Sequence, residues 1–305
     1  MLPFTFAGGF GTIGDGYRDV TRPDRGGRNV GGRIRIMRLR TRKNARESLE
    51  SQADLVVLDP ERYRGRWREL FGNDNPIHVE LGMGKGQFIS RMSGNRPEIN
   101  FLGVDMFDEL LRKGSVKARK VWQEKGSETV PNLFLVRGNA ERLETMFAPG
   151  ELERIYLNFS DPWPKNKHAK RRLTHPRFLA KYVEALNENG EIHFKTDSLS
   201  LFEFSLNSFS DMRLQLRNIS LDLHRNGLRE DLVLTEYETK FVERGQPIYR
   251  LEAVVGREAV RRHIAESAER LRSESARGEA RRRAAAAADE GAGSAEAIGA
   301  EAAHK

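Results

Sequence analysis

The feature that most constrains the fold of this chain lies at residues 77–92. Ile77–Leu81 (IHVEL) is a short apolar run of strand type. Gly82-Met83-Gly84-Lys85-Gly86 follows without a spacer, and Gln87-Phe88-Ile89-Ser90-Arg91-Met92 then reads as a helix. A buried strand that passes through glycines directly into a helix opens a doubly wound α/β sheet, with its ligand end at the carboxyl end of the strand. The glycines let the backbone approach a ligand closely, and the helix start offers unpaired N–H groups.

Two details narrow the ligand. The spacing G-x-G-x-G is not the dinucleotide G-x-G-x-x-G, and Glu80 stands at the last turn of the strand. An acid there repels a pyrophosphate and suits a cationic, amino-bearing molecule. S-adenosylmethionine carries a sulfonium and an α-amino group and no phosphate, so Glu80 with Gly82 and Gly84 is read as the site of that cofactor. Asn100–Val104 is a second strand ending at Asp105, an acid placed to accept both ribose hydroxyls; an N-cap role is the alternative, for which Asp108 competes. Leu133–Val136 is a third, followed by Asn139, whose amide suits an adenine edge or a plain turn.

The fourth strand leads into the densest stretch of chemistry, IYLNFSDPWPKNKHAKRR at residues 155–172. Ile155, Tyr156, Leu157 and Phe159 form the strand, which stops at Ser160-Asp161-Pro162. Pro162 and Pro164 stiffen the turn and hold Trp163 between them. Lys165, Lys167, His168, Lys170, Arg171 and Arg172 follow as a positive cluster. A carboxylate, a flat aromatic and a basic run at a strand end present an aromatic, anionic substrate; the bland alternative is a proline turn before a solvated helix.

Glu191–Lys195 is a fifth strand ending in Thr196-Asp197. Helical patterns fall at about 109–125, at 174–186 with Thr174 as cap and Asn189-Gly190 as stop, and at 199–210. Residues 60–71 are read as one earlier helix ended by Gly72-Asn73. Two more strands, near 214–223 and 246–255, have no clear helix between them, and Thr235-Glu236-Tyr237-Glu238 falls in that polar stretch. The expected fold is α/β: a doubly wound, Rossmann-like, seven-stranded sheet with an antiparallel edge strand.

Composition sets the surroundings. The 305 residues carry a formal net charge of +8 and no cysteine, which favours polyanionic partners and excludes disulfides, thiolate metal sites and a cysteine nucleophile. No metal site is expected. No apolar run approaches a membrane span, and no signal peptide is read at the start, so a cytoplasmic protein is the default. Three parts are expected: a basic Gly/Arg-rich arm over 1–51, largely disordered; a catalytic domain over 52–256; and an Arg/Ala/Glu-rich tail over 257–305, helical and then disordered. A monomer and a homodimer are both open.

The stretches HVELGMGKGQFI, YLNFSDPWPKNKHAKRRLTHPRFL, IHFKTDSLSLFEFSL and TEYETKFVERGQPIYRLE together resemble the bacterial tRNA (guanine-N7-)-methyltransferases, over roughly residues 75–252. The resemblance implies a class I S-adenosylmethionine-dependent fold acting on a guanine of the tRNA variable loop. It implies donor contacts at Glu80, Asp105, Asn139 and Asp161. It implies substrate contacts at Lys165, Asp197, Thr235, Glu236, Tyr237 and Glu238, with 167–172 as an RNA tract. Asp161 is the expected catalytic group, by charge stabilisation or by orienting the base. Many members carry Glu where this chain has Asp105 and Asp where it has Asn139; the first change shortens the reach to the ribose and the second adds a donor. The competing classes are a nicotinamide-dependent oxidoreductase, a non-catalytic RNA-binding protein and an exocyclic-amine methyltransferase.

Overall fold

The computed structural model describes residues 45–229 and 231–302, with side chains for 46–229 and 231–281. The expected arm over 1–51 therefore lies outside the described residues as far as residue 44. In chain order the elements are α1 (Ala45–Glu50), β1 (Val56–Val57), α2 (Trp67–Phe71), β2 (Ile77–Leu81), α3 (Gln87–Asn95), β3 (Asn100–Asp105), α4 (Asp108–Gln123), β4 (Leu133–Arg137) and α5 (Leu143–Met146). They continue with β5 (Leu152–Asn158), α6 (Pro176–Ala185), β6 (Leu186–Thr196), α7 (Leu199–Asp211), β7 (Gln215–Ser220), α8 (Glu236–Val242), β8 (Tyr249–Val254) and α9 (Arg257–Ala302).

One sheet runs in the order β1-β4-β3-β2-β5-β6-β8-β7. Strands β1 to β6 pair in parallel, and β8 is antiparallel to both β6 and β7. From β2 the chain winds outward through β3 and β4, then returns to the other side of β2 with β5 and β6. The reversal leaves a crevice outside the carboxyl ends of β2 and β5, where open sheets of this kind take their ligands.

The sheet has eight strands rather than the expected seven. The extra one is Val56–Val57, buried with Leu55 beside β4, whose Leu135 donates its N–H to the Leu55 carbonyl at 2.9 Å. Residues 60–71 do not form one helix. Gly65 turns left-handed at φ 76°, separating a single 3-10 turn at Pro60–Tyr63 from α2. Thr174 does not cap α6: His175 does, accepting from Arg177 N through Nδ1 at 3.2 Å, because Pro176 fixes the first helical position. Helix α6 also stops at Ala185, earlier than Asn189-Gly190, since Leu186 is already extended and pairs with Leu152. A short helix, α8, occupies the gap between the last two strands where the pattern showed no clear one. Helix α9 runs to Ala302.

Alternation along each strand gives the two faces different tasks. Ile77, Val79 and Leu81 of β2, with Ile155 and Leu157 of β5 and Phe194 of β6, pack under α6 and α7 against Phe178, Tyr182, Phe202 and Phe209. Each such fully buried Leu, Ile or Phe contributes about 2 kcal/mol. On the opposite face Phe88, Ile89, Leu111 and Leu133 form a second core under α3 and α4. Beyond those helices the same face turns polar. Arg154, Glu191, His193, Arg217 and Glu252 form a lattice across β5, β6, β8 and β7, with Arg154–Glu191, Arg217–Glu191 and Arg217–Glu252 each at 2.8 Å. The amino-terminal part of α9 borders that lattice: Ala259 is buried, and Arg262 donates to Asn189 Oδ1 at 3.2 Å.

Candidate active site

The site is assembled at the carboxyl edge of the sheet. Glu80 is the penultimate residue of β2 and points to the polar face. Its Oε1 accepts from Asn158 Nδ2 of β5 at 2.9 Å, while its Oε2 is buried with no hydrogen-bond partner. Burial raises its pKa to about 8, against the Asn158 bond and the Lys195 charge, which pull the other way. A buried bare carboxylate oxygen costs free energy unless a partner arrives, and the partner it suits is a cation or an N–H group.

The glycine loop curls over this acid. Gly82 and Gly84 have φ of 76° and 57°, and a Cβ on either would meet nothing within 4 Å, so the space above the loop is open. Gly82 and Met83 donate to the Val104 carbonyl, and Gly84 N donates to Asp105 Oδ2 at 3.1 Å. The other oxygen of Asp105 accepts from Phe107 N at 3.1 Å. Asp105 is therefore not the cap of α4, which starts at Asp108 behind Phe107 with no side-chain cap. Burial raises the Asp105 pKa to about 6 against those two N–H bonds. Met106 and Phe107, both half exposed, offer an apolar surface beside it. Asn139 lies just beyond β4, adjacent to Asp105 through the Gly138 N to Asp105 O bond of 3.0 Å. Its side-chain oxygen Oδ1 caps a 3-10 turn by accepting from Glu141 N at 2.9 Å, which leaves its side-chain NH2 for a ligand.

The loop after β5 closes the other side. Phe159 and Trp163 both have positive φ, 52° and 42°, and Asp161 between them is exposed. Non-glycine residues in that region cost roughly 1–3 kcal/mol each and are retained where the surroundings over-determine them. The Phe159 ring stacks on Phe241 of α8 at 5.8 Å, and Ser160 Oγ is buried without a partner. Trp163 is flanked by its own chain, His168 edge-on at 5.8 Å and the Arg171 guanidinium 4.9 Å over the ring. The basic residues form a 3-10 turn, Asn166–Arg171, with Lys165, Lys167, Lys170 and Arg171 exposed and His168 half-buried. Arg172 is the exception. It is buried, and its guanidinium donates to the loop's own carbonyls, where the resemblance implied a place in the RNA tract.

Helix α8 brings Thr235–Glu238 to the same edge. Thr235 and Glu238 form a reciprocal capping box. Glu238 is fully buried, and its oxygens are held by Lys195 Nζ at 2.6 Å and His224 Nε2 at 3.1 Å. Glu238, which the resemblance implied as a substrate contact, is thus bonded internally, and Thr235, also buried, is occupied by the same cap. Glu236 binds Lys85 of the glycine loop at 2.8 Å and also Lys117 of α4, while Tyr237 is exposed. Asp197 is exposed just past β6. The structure thus brings Glu80, the glycine loop, Asp105, Asn139, the Asp161 loop and α8 to one rim. Sequence reasoning missed Asn158, Lys195 and Lys85, although a polar Asn158 and a charged Lys195 ending otherwise buried strands were a legible signal.

At the far end of β6, Glu191, His193 and Glu252 lie close enough to share a cation. Arginines already hold both carboxylates, and a cleft of about 730 Å³ opens between this lattice and α9, away from the donor edge.

An open sheet reversing at β2 and β5, with an acid, a glycine loop and a second acid at the reversal, defines a class I methyltransferase. The residues fit the methyl donor such proteins use: a buried acid with one unbonded oxygen suits a cationic group, and the glycines leave room above it. A family model described as a putative methyltransferase matches residues 74–251. The tRNA (guanine-N(7)-)-methyltransferase of Streptococcus sanguinis is 52% identical over 217 residues, covering 71% of this chain and 99% of that protein. The enzyme of the same name from Bacillus subtilis is 50% identical over 216 residues, covering 71% and 98%. Among solved structures, the 16S rRNA methyltransferase KamB aligns over 63% of this chain and 93% of its own, with TM-score 0.47 and 12% identity. The chain belongs to the tRNA (guanine-N7-)-methyltransferase family. No helix among the described residues is long and apolar enough to cross a membrane.

Proposed function

We propose that this chain methylates N7 of a guanine in the variable loop of tRNA, in the cytoplasm, with S-adenosylmethionine as donor. The observation that carries the reading is Glu80, a buried carboxylate with one unbonded oxygen at the point where the strand order reverses. Glu80, Gly82, Gly84, Asp105 and Asn139 would hold the donor, with Asp161 at the rim. When bound, S-adenosylmethionine supplies an electrophilic methyl group on a sulfonium.

Guanine N7 carries an in-plane lone pair on the major-groove edge, so no residue has to remove a proton first. The protein's task is to orient the base and to meet the positive charge that grows on it. Asp161 stands exposed at the tip of a constrained loop, where its carboxylate would accept from guanine N1–H and N2–H and stabilise the purine cation. Lys165, Lys167, His168, Lys170 and Arg171 present charge to the RNA backbone. Asp197, Glu236 and Tyr237 line the same rim as substrate contacts, and Thr235 and Glu238 support them from beneath.

The test is Asp161→Ala, with calorimetry for the donor and transfer of labelled methyl to unmodified tRNA, read by nucleoside analysis. Donor affinity should stay within about twofold while transfer falls roughly 100-fold or more. A wild-type protein that binds no donor, or leaves N7 unaltered, rejects the function. A fully active Asp161→Ala rejects only the role given to that residue.

A further inference from the structure

We infer that Arg172 is a positioning residue that sets the shape of the Asp161 loop from within. Its guanidinium donates from Nε to the Pro162 carbonyl and from Nη2 to the Trp163 carbonyl, each at 3.1 Å. The side chain is buried in a run of otherwise exposed basic residues. The guanidinium plane is fixed in turn by the ring of Phe204 on α7, 4.3 Å below it. The fork therefore connects two consecutive peptide carbonyls of the loop to a helix whose Phe202 and Phe209 belong to the main core.

The loop needs such a hold. Prolines remove two of its N–H groups, and Phe159 and Trp163 sit at positive φ, so backbone bonding alone supplies little to fix it. Two N–H groups on one rigid plane fix the Pro162–Trp163 and Trp163–Pro164 peptides relative to each other, starting one residue after Asp161. Lysine places a point charge there and defines neither. The basic run accordingly serves two ends. Lys165, Lys167, Lys170 and Arg171 face outward, whereas Arg172 faces the carbonyls behind Asp161. The inference rests on the reading that this loop meets the base.

The variant Arg172→Lys, in the full chain, tests it. A phosphate-contacting arginine tolerates lysine, which also binds phosphate; a carbonyl fork does not. We expect kcat to fall about 100-fold, as for a reacting group displaced by about 1 Å, with KM for tRNA and donor affinity within about twofold. The chain has three tryptophans, so 5-fluorotryptophan labelling gives three fluorine resonances, with Trp163 assigned by its loss in Trp163→Phe. The Trp163 resonance should move in Arg172→Lys while those of the buried Trp67 and Trp122 stay. An unmoved Trp163 resonance, a wild-type kcat, or a raised KM at unchanged kcat overturns the inference. If all three resonances collapse, Phe204→Leu takes over: it keeps the fork and removes its support, and the same signature or its absence decides. Asp161→Ala measured alongside separates the two readings. Full activity there removes Asp161 from the chemistry, whereas a silent Arg172→Lys beside an inactive Asp161→Ala overturns only the inference about Arg172.

Discussion

Lys195 and Glu238 form a buried ion pair, Nζ to Oε2 at 2.6 Å, that joins the carboxyl end of β6 to the first turn of α8. Glu238 also closes the capping box of that helix and accepts from His224, so three separate pieces of chain meet on one carboxylate. Removing one partner strands the other charge out of water, a penalty of about 3–5 kcal/mol. Lys195→Met and Glu238→Gln should each lower the free energy of urea unfolding by an amount of that order. The double variant should cost clearly less than the sum. Strictly additive losses would mean the two side chains do not act as a pair.

The free protein should bind its donor more tightly as pH rises from 6 to 8. Burial lifts Glu80 to about 8 and Asp105 to about 6, so at neutral pH the free site holds Glu80 mainly protonated. A cationic ligand favours the ionised form, so binding expels a proton, and affinity climbs until the pH passes about 8. Calorimetry in buffers of different ionisation enthalpy reads the released proton directly. A donor affinity flat across this range would contradict the placement of a cation at Glu80.

The polar lattice predicts an acid limit. Burial opposes ionisation of Glu191 and Glu252. His193 and the arginines Arg154, Arg217 and Arg250 outweigh it and hold both acids at about 2. Their folded values lie below the ordinary 4.5, so their contribution is complete above 4.5 and is lost as pH falls from there towards 2. Melting temperature followed between pH 6 and 3 should drop along this limb. Glu191→Gln should flatten the drop while lowering stability at pH 7.

Outward-facing charge should be readable from salt. Lys167→Ala with Lys170→Ala removes two exposed side chains from the 3-10 turn beside Trp163. If each meets a phosphate, the slope of log affinity for tRNA against log salt should become shallower by roughly 1.5. Donor affinity should not move. An unchanged slope would take the turn out of the RNA interface.

Local pattern was enough to place the strands from residue 77 onward and helices α3, α4, α6 and α7 among them, because buried strands followed by glycines or acids leave a local signature. It also determined the chemistry at the strand ends: Glu80, Asp105 and Asp161 stand where an open sheet presents its ligands. Other features depended on which groups meet across long separations, and they emerged with the fold. Val56–Val57 became a strand because β4 offered an unpaired edge. Gly65 split a helix whose pattern looked continuous. Arg172 and Glu238 carry the same charge and polarity as neighbours that face water, and nothing in a local stretch distinguishes them. Their direction was set by partners elsewhere in the fold, the stacked ring of Phe204 for one and the buried amine of Lys195 for the other.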